Sequence, residues 1–318
     1  MKIELLAPSG NMKTLKAAVQ AGADAVYLGA GKFSARAFAG NFTGSEFCTA
    51  IEYASSANVK VYLAINTLMT DRELSEAMSI VDLACNAGAA AFITQDLGLA
   101  HMIRQKYPNA VLHASTQMTA QTLKDVNTLG SLGFKRVVMA RELSRDQIRE
   151  IAANTAVELE IFVHGALCSS YSGQCLMSSF IGGRSANRGK CAQPCRLPYK
   201  AAAKAAQAGR NTFSQSGVLL SLKDLCLIDY VSELAEMGVT SLKIEGRMKG
   251  EDYVRTVVGA YRSVLDGKPL SAKQKTKMLN VFNRGGYTDG YYTGNKADMY
   301  MKMLKNPYGK GKEPANAH

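Results

Sequence analysis

Four cysteines, Cys168, Cys175, Cys191 and Cys195, fall in one stretch, CSSYSGQCLMSSFIGGRSANRGKCAQPC, with the spacing C-x6-C-x15-C-x3-C. The residues between them are small, polar and basic, which does not describe a packed core. Four thiolates can hold zinc tetrahedrally or an iron–sulfur cluster. Structural zinc favours two tight cysteine pairs, whereas only Cys191 and Cys195 are close here, and cluster ligands accept looser spacing. A catalytic thiol is a third reading, with Cys168 near His164 in sequence, but it leaves three companions without a task. Cys48, Cys85 and Cys226 stand singly inside apolar helical patterns and are expected to pack as small hydrophobes.

A second set of candidates closes the short apolar runs that read as strands. Asn66, Asp96 beside Gln95, His113 with Ser115 and Gln117, Arg141 beside Glu142, and His164 all stand there, followed by Lys243, Glu245 and Arg247 in SLKIEGR. Period-two spacing puts those last three on one face of a strand. Facing a cavity, an acid between two bases would hold an anion and leave a carboxylate for proton transfer; facing inward without a ligand, the same residues would form an ion-pair ladder. His113 and His164 are the two histidines on strand-like runs, each a candidate acid, base or ligand. One polar strand end is unremarkable, but a whole ring of them implies a binding cavity, because burying so many polar groups without partners is costly.

These residues need a scaffold that brings strand ends together. Eight β-rich runs begin at Glu4, Ala25, Val61, Ala91, Val111, Arg136, Glu158 and Ser241, and amphipathic helical patterns such as NMKTLKAAVQAGA and SRDQIREIAANTA separate the first seven. Strands alternating with helices make parallel βαβ units, and eight of them make a TIM-like (β/α)8 barrel, an α/β fold whose site lies at the C-terminal ends of the strands. The cysteine stretch interrupts this rhythm before the last strand, as an insertion over residues 165–220 on that same face. A strand-like VLLSL and a helix KDLCLIDYVSELAEMG are expected to follow it. The division expected is a barrel over 1–250, a helical and Gly/Tyr-rich extension over 251–300, and a basic, flexible tail over 301–318.

The chain has 318 residues, 38 Lys and Arg against 26 Asp and Glu, and a formal charge of +12. From Ile161 to Lys223 there is no acidic residue, while Arg184, Arg188 and Arg196 lie inside, so the cysteine loop suits a polyanion such as nucleic acid or a small anionic substrate. No apolar run reaches the roughly 20 residues of a membrane span, and the N-terminus MKIELLAPSG has no signal-peptide pattern. A cytoplasmic protein is expected, where thiols stay reduced and clustered cysteines favour metal or catalytic roles over disulfides. P-loop, H-E-x-x-H and G-x-S-x-G patterns are missing.

ELEIFVHGALCSSYSGQCLMSS, GRSANRGKCAQPCRLPY, SLKIEGR and FNRGGYTDGYYTG together resemble the collagenase-like peptidase family of unassigned catalytic type, from ELLAPSGN through YRSVLDG. That family was named for a reported protease activity. Its characterised members look like oxygen-independent hydroxylases that carry a 4Fe-4S cluster and take the hydroxyl oxygen from prephenate. Their targets are a ribosomal RNA cytidine, the wobble uridine of tRNA, or the ring of a ubiquinone precursor. The resemblance implies that Cys168, Cys175, Cys191 and Cys195 are the cluster ligands, with Cys226 in reserve for Cys195, because one branch takes its fourth ligand further along the chain. RGKCAQPCR is the form of the RNA-modifying branches. Arg141, Lys243 or Arg247 would then hold prephenate carboxylates, Glu245 or His164 would move protons, and the loop arginines would contact RNA phosphates. The RNA hydroxylases carry a further C-terminal region, so this chain is expected to be a fragment, a short paralogue or one subunit working with a second protein. Proteolysis and non-catalytic RNA binding are the competing functions.

Overall fold

Each of the eight predicted runs becomes a strand of one closed parallel barrel. The computed structural model describes residues 3–29, 31, 33–35, 42–204, 211–246 and 248–301, the side chains of 201–204 and 211–216 excepted. Strands and helices alternate as β1 (Glu4–Pro8), α1 (Met12–Gln20), β2 (Ala25–Gly29), α2 (Gly44–Ser56), β3 (Lys60–Ile65), α3 (Asp71–Ala87), β4 (Ala91–Thr94), α4 (Leu97–Lys106), β5 (Leu112–Ala114), α5 (Leu123–Ser131), β6 (Arg136–Val138), α6 (Arg145–Asn154) and β7 (Glu158–Gly165). The insertion carries α7 (Met177–Gly182), a hairpin of β8 (Tyr199–Lys204) and β9 (Asn211–Gly217), and β10 (Asp224–Cys226). Then come α8 (Val231–Glu236), β11 (Ser241–Ile244), α9 (Glu251–Leu265), α10 (Ala272–Asn280), β12 (Tyr287–Thr288) and α11 (Gly290–Thr293). β11 pairs with β7 on one side and β1 on the other, which closes the barrel.

Local chemistry fixes these elements. Capping boxes open α1 at Asn11, α3 at Thr70, α5 at Thr122, α6 at Ser144 and α10 at Ser271, where side chains satisfy amides that the first helical turn leaves unpaired. Leu, Val and Ile from both strand and helix faces fill the shell between barrel and helices. Inside the barrel a smaller apolar layer contains Leu6, Tyr27, Tyr62 and Ile93.

Beneath that layer, at the N-terminal end, the interior is ionic. Arg136 reaches Glu4 at 2.5 Å, Glu158 at 2.8 Å and Glu160 at 3.3 Å, and Lys243 reaches Glu160 at 2.8 Å. Burial opposes the Arg136 charge, but Glu160 and Glu4 outweigh it and raise its pKa. This closed network plugs the end of the barrel opposite the cysteines.

Two expectations change. The stretch expected as one helix from Lys223 is strand β10, a turn and the short α8; alternate Leu225 and Leu227 bury on one side while β10 pairs antiparallel with the long end of β7. VLLSL is a turn, held by the Ser221 amide on the Val218 carbonyl. Helix α9, which opens the expected 251–300 extension, packs on α1 and β1 as the eighth helix of the barrel. Most of the 301–318 tail, residues 302–318, lies outside the described residues. Among the described residues no helix is long and apolar enough to cross a membrane.

Candidate active site

Two adjoining cavities open at the C-terminal end of the barrel. The first, about 110 Å³, is lined by Tyr27, Asn66, Ile93, Ser115, Gln117, Arg141, Glu142, Phe162, Cys168, Lys243 and Glu245, among others. Its polar walls are mutually fixed. Asn66 Nδ2 donates to Ser115 Oγ at 3.0 Å, and Gln117 Nε2 donates to the Asn66 carbonyl at 3.1 Å. Arg141 donates to the Ala166 carbonyl at 2.9 Å and to Glu245 at 2.8 Å, with its guanidinium 3.9 Å from the Phe162 ring centre. Its Nε is buried without a partner. Such a polar atom is costly to leave unpaired, which marks the spot as one that a ligand or water completes.

The second cavity, about 150 Å³, lies between the cysteine loop and the segment after β11. Cys168, Cys191, Cys195, Arg141, Arg196, Glu245, Lys249 and Arg284 line it. Cys168, Arg141 and Glu245 therefore belong to both cavities. The Gln193 amide donates to Cys191 Sγ at 3.3 Å, and Ser178 Oγ stands 4.0 Å from the same sulfur. Burial raises the Cys195 pKa, against the opposing pull of Arg196 and a hydrogen bond from Ser169, while Cys168 and Cys191 raise it further. All seven cysteines are free thiols. Cys175 is half-buried in the same loop but is not among the residues lining either cavity. Among the described residues no group of three His, Cys, Asp or Glu side chains stands close enough to share a single metal ion. Cys168, Cys191 and Cys195 thus share the wall of one chamber, with Cys175 outside it.

The barrel holds the loop in place. Glu142 accepts from the Ser172 amide at 3.0 Å and hydroxyl at 2.8 Å, and Thr119 Oγ1 donates to the Ser172 carbonyl at 2.7 Å. Arg188 donates to the Leu68 carbonyl at 2.8 Å and pairs with Glu73 at the start of α3.

Several sequence-predicted residues take other posts. His164 lines neither cavity: β7 gains a residue against β11 between Phe162 and His164, which turns the imidazole away from the barrel interior. It is buried beside Tyr253, Tyr261 and Tyr287, and burial pushes its pKa down to about 3. His113 lies inside the barrel against Tyr62, and burial, then Arg136 and Lys243, lower its pKa well below the ordinary value. Asp96 caps α4, accepting from the Leu99 and Met69 amides at 2.8 and 3.1 Å. Lys243 forms the floor of the first cavity, and its ammonium pairs with Glu160. Arg188 anchors the loop, and exposed Arg184 bonds the Lys190 carbonyl within it. Cys226, the reserve for Cys195, is half-buried next to Tyr261 and lines neither cavity. Arg247 lies outside the described residues. Lys249 and Arg284 were not foreseen; the only signal was that Lys249 follows SLKIEGR and Arg284 falls within FNRGGYTDGYYTG.

The profile of peptidase family U32 matches residues 10–302. An uncharacterized protease of Methanocaldococcus jannaschii is 39% identical over 301 residues, 91% of this chain and 73% of its own length. A tRNA hydroxylation protein of Bacillus subtilis is 38% identical, covering 83% of this chain and 63% of its own. A 23S rRNA 5-hydroxycytidine synthase of Escherichia coli is 40% identical over 83% of this chain, which spans only 39% of that protein. The solved structure of a U32 peptidase shares the fold, with a TM-score of 0.50 at 12% identity, covering 77% of this chain and 93% of that one.

Proposed function

We propose that this chain, which belongs to peptidase family U32, is an RNA pyrimidine hydroxylase that works with an iron–sulfur cluster and takes its oxygen from prephenate. The observation that carries the reading is the meeting of three cysteines with the polar strand ends: Cys168 lines both cavities, and Cys191 and Cys195 line the second. The reaction class follows from relatives at 38% and 40% identity named for tRNA hydroxylation and 5-hydroxycytidine synthesis. Cys168, Cys191 and Cys195, with Cys175 from the same loop, would hold the cluster. A donor set of thiols, with a backbone amide aimed at the Cys191 sulfur, suits that group, since hydrogen bonds to sulfur tune such clusters. Bound there, a 4Fe-4S cluster supplies one-electron redox chemistry.

The remaining roles fall to side chains in the cavities. Asn66, Ser115 and Gln117 offer amide and hydroxyl groups that match the edge of a pyrimidine base. Glu245 is the one carboxylate lining both cavities, and it would accept the ring proton as the donor's C–O bond breaks, the oxygen joining the ring carbon and the two electrons of that bond staying on the donor. Arg141, held by Glu245 and the Phe162 face, lines both chambers and would face an anion bound in either. The acid-free run from Ile161 to Lys223 places positive charge around the mouth, where RNA phosphates would approach. Proteolysis finds less support, because among the described residues no histidine lines either cavity to act as the base for a nucleophile.

Nucleoside mass spectrometry of RNA from a deletion strain tests the reading. A hydroxylated pyrimidine should vanish and return with the wild-type gene but not with Cys191→Ser. An unchanged nucleoside profile on deletion would refute it.

A further inference from the structure

Among the described residues only two tyrosines are exposed, Tyr171 and Tyr300, with 64% and 48% of their surfaces open. Both lie at the rim of the first cavity. Ser170, Ser172 and Gly173 line that cavity while Tyr171 does not, so its ring stands outside the opening. Tyr300 is tied to the end of the insertion: the Lys223 amide donates to the Met299 carbonyl and the Met301 amide to the Ser221 carbonyl, both at 2.9 Å, and Leu222 bridges Tyr300. Half-buried Tyr291 on α11 links the two, being within electrostatic reach of Tyr171, Tyr300, Cys168 and Glu142, the last two of which are on the cavity wall. The other tyrosines of FNRGGYTDGYYTG have inward tasks, Tyr287 beside His164 and Tyr292 beside Tyr230.

Phenol rings grouped at a cavity mouth gain by stacking on a planar partner, which takes their apolar faces out of water. The charge nearby selects that partner. Tyr171 lies in the run from Ile161 to Lys223 that holds no acid. The carboxylates around the group already have donors: Glu142 accepts from Ser172 and Gln121, Asp289 accepts from Tyr230, and Asp298 pairs with Lys223. A polyanion that carries planar rings, which is nucleic acid, meets both conditions, whereas an acidic protein surface supplies the charge without the row of rings. The first cavity, about 110 Å³, has room for about one ring, so the neighbours of a nucleotide whose base enters it stay at the rim. Resting on the proposed function, we propose that Tyr171, Tyr291 and Tyr300 form a stacking shelf for the unpaired nucleotides that flank the base held in the first cavity. The substrate is then a single-stranded stretch or loop of RNA, since bases paired in a duplex hide the faces on which tyrosines stack.

Fluorescence anisotropy of the full chain with a labelled pyrimidine-rich RNA decamer, single-stranded or annealed to its complement, tests the shelf. The single strand should bind more tightly than the duplex. Tyr171→Ala and Tyr300→Ala should each weaken its binding by about fivefold to a hundredfold, the loss of one stacked base. Tyr171→Phe and Tyr300→Phe, which keep the ring, should bind as the wild type does. The slope of affinity against salt should be the same in all four variants, because none removes a phosphate contact. Leu132→Ala, exposed where α5 ends at the opposite end of the barrel, should change nothing. Circular dichroism checks folding, and Tyr171→Ala alone carries the criterion if Tyr300→Ala does not fold. Undiminished binding by the Ala variants, the result if these tyrosines meet a protein partner instead, would overturn the shelf. So would Phe variants as weak as the Ala variants, a duplex bound as tightly as the single strand, or a wild-type chain that binds neither RNA. If deletion leaves the nucleosides unchanged while Tyr171→Ala binds weakly, the stacking surface stands and the hydroxylase falls; a lost nucleoside with undiminished binding gives the reverse.

Discussion

Glu245 and His164 end neighbouring strands, yet only Glu245 reaches the cavities. In the sequence they look alike, polar groups closing apolar runs; the single extra residue in β7 that turns His164 away leaves no mark in composition or periodicity. Glu245→Gln should lower hydroxylation by about a hundredfold or more, the usual worth of a positioned acid–base group, whereas His164→Phe should retain most of it, both read by nucleoside mass spectrometry. The buried imidazole, with its pKa near 3, contributes stability that is fully present above the ordinary histidine value and is lost as the pH falls toward 3. Lys243 was legible as a charged, inward-facing residue, but its partner Glu160 stands far away in sequence, so the ion-pair outcome could not be chosen from spacing. The same network sets a stability test. Arg136→Met would remove the cation that Glu4 and Glu160 share, leaving Lys60 to the one and Lys243 to the other, and should cost about 3 kcal/mol, measured by urea denaturation.

Among the elements, the eight barrel strands were readable because each is a short Val-, Ile- or Leu-rich run set off by capped amphipathic helices, and local pattern and global fold agree. The insertion obeys no such period. Its order comes from long-range contacts: Ser172 on Glu142, Arg188 on Glu73, and Gly173 against the backbone at Gln117. Gly173 has φ +75, and a Cβ there would stand 2.2 Å from the Gln117 carbonyl oxygen. Gly173→Ala should therefore lift the loop and lower iron retention on anaerobic purification, while thermal unfolding of the barrel changes little. The Arg188 hydrogen bond, with those from Thr70, holds the Glu73 carboxyl down at about 2. A depressed carboxylate pKa gives stability that is present above the ordinary glutamate value and is lost as the pH falls toward 2. Pepsin cleavage within the insertion should thus rise across that acid window, and Glu73→Gln should show the same cleavage at its upper edge.

For the whole molecule, a charge of +12, an acid-free cysteine insertion and a cavity pair at the open end of the barrel all point to one face. Composition and order revealed that face; it took three dimensions to show that the extension beyond the barrel contributes Arg284 to it. The chain spans between 39% and 73% of the length of the relatives compared with it, so tests of activity are best made in the native host as well as with the isolated chain. Iron and acid-labile sulfide content after strictly anaerobic purification tests the cysteine chamber most directly. The expected result is a brown protein with about four iron and four sulfide ions per chain, both lost in Cys191→Ser. A colourless wild-type chain without iron, or iron that survives Cys191→Ser unchanged, would contradict it.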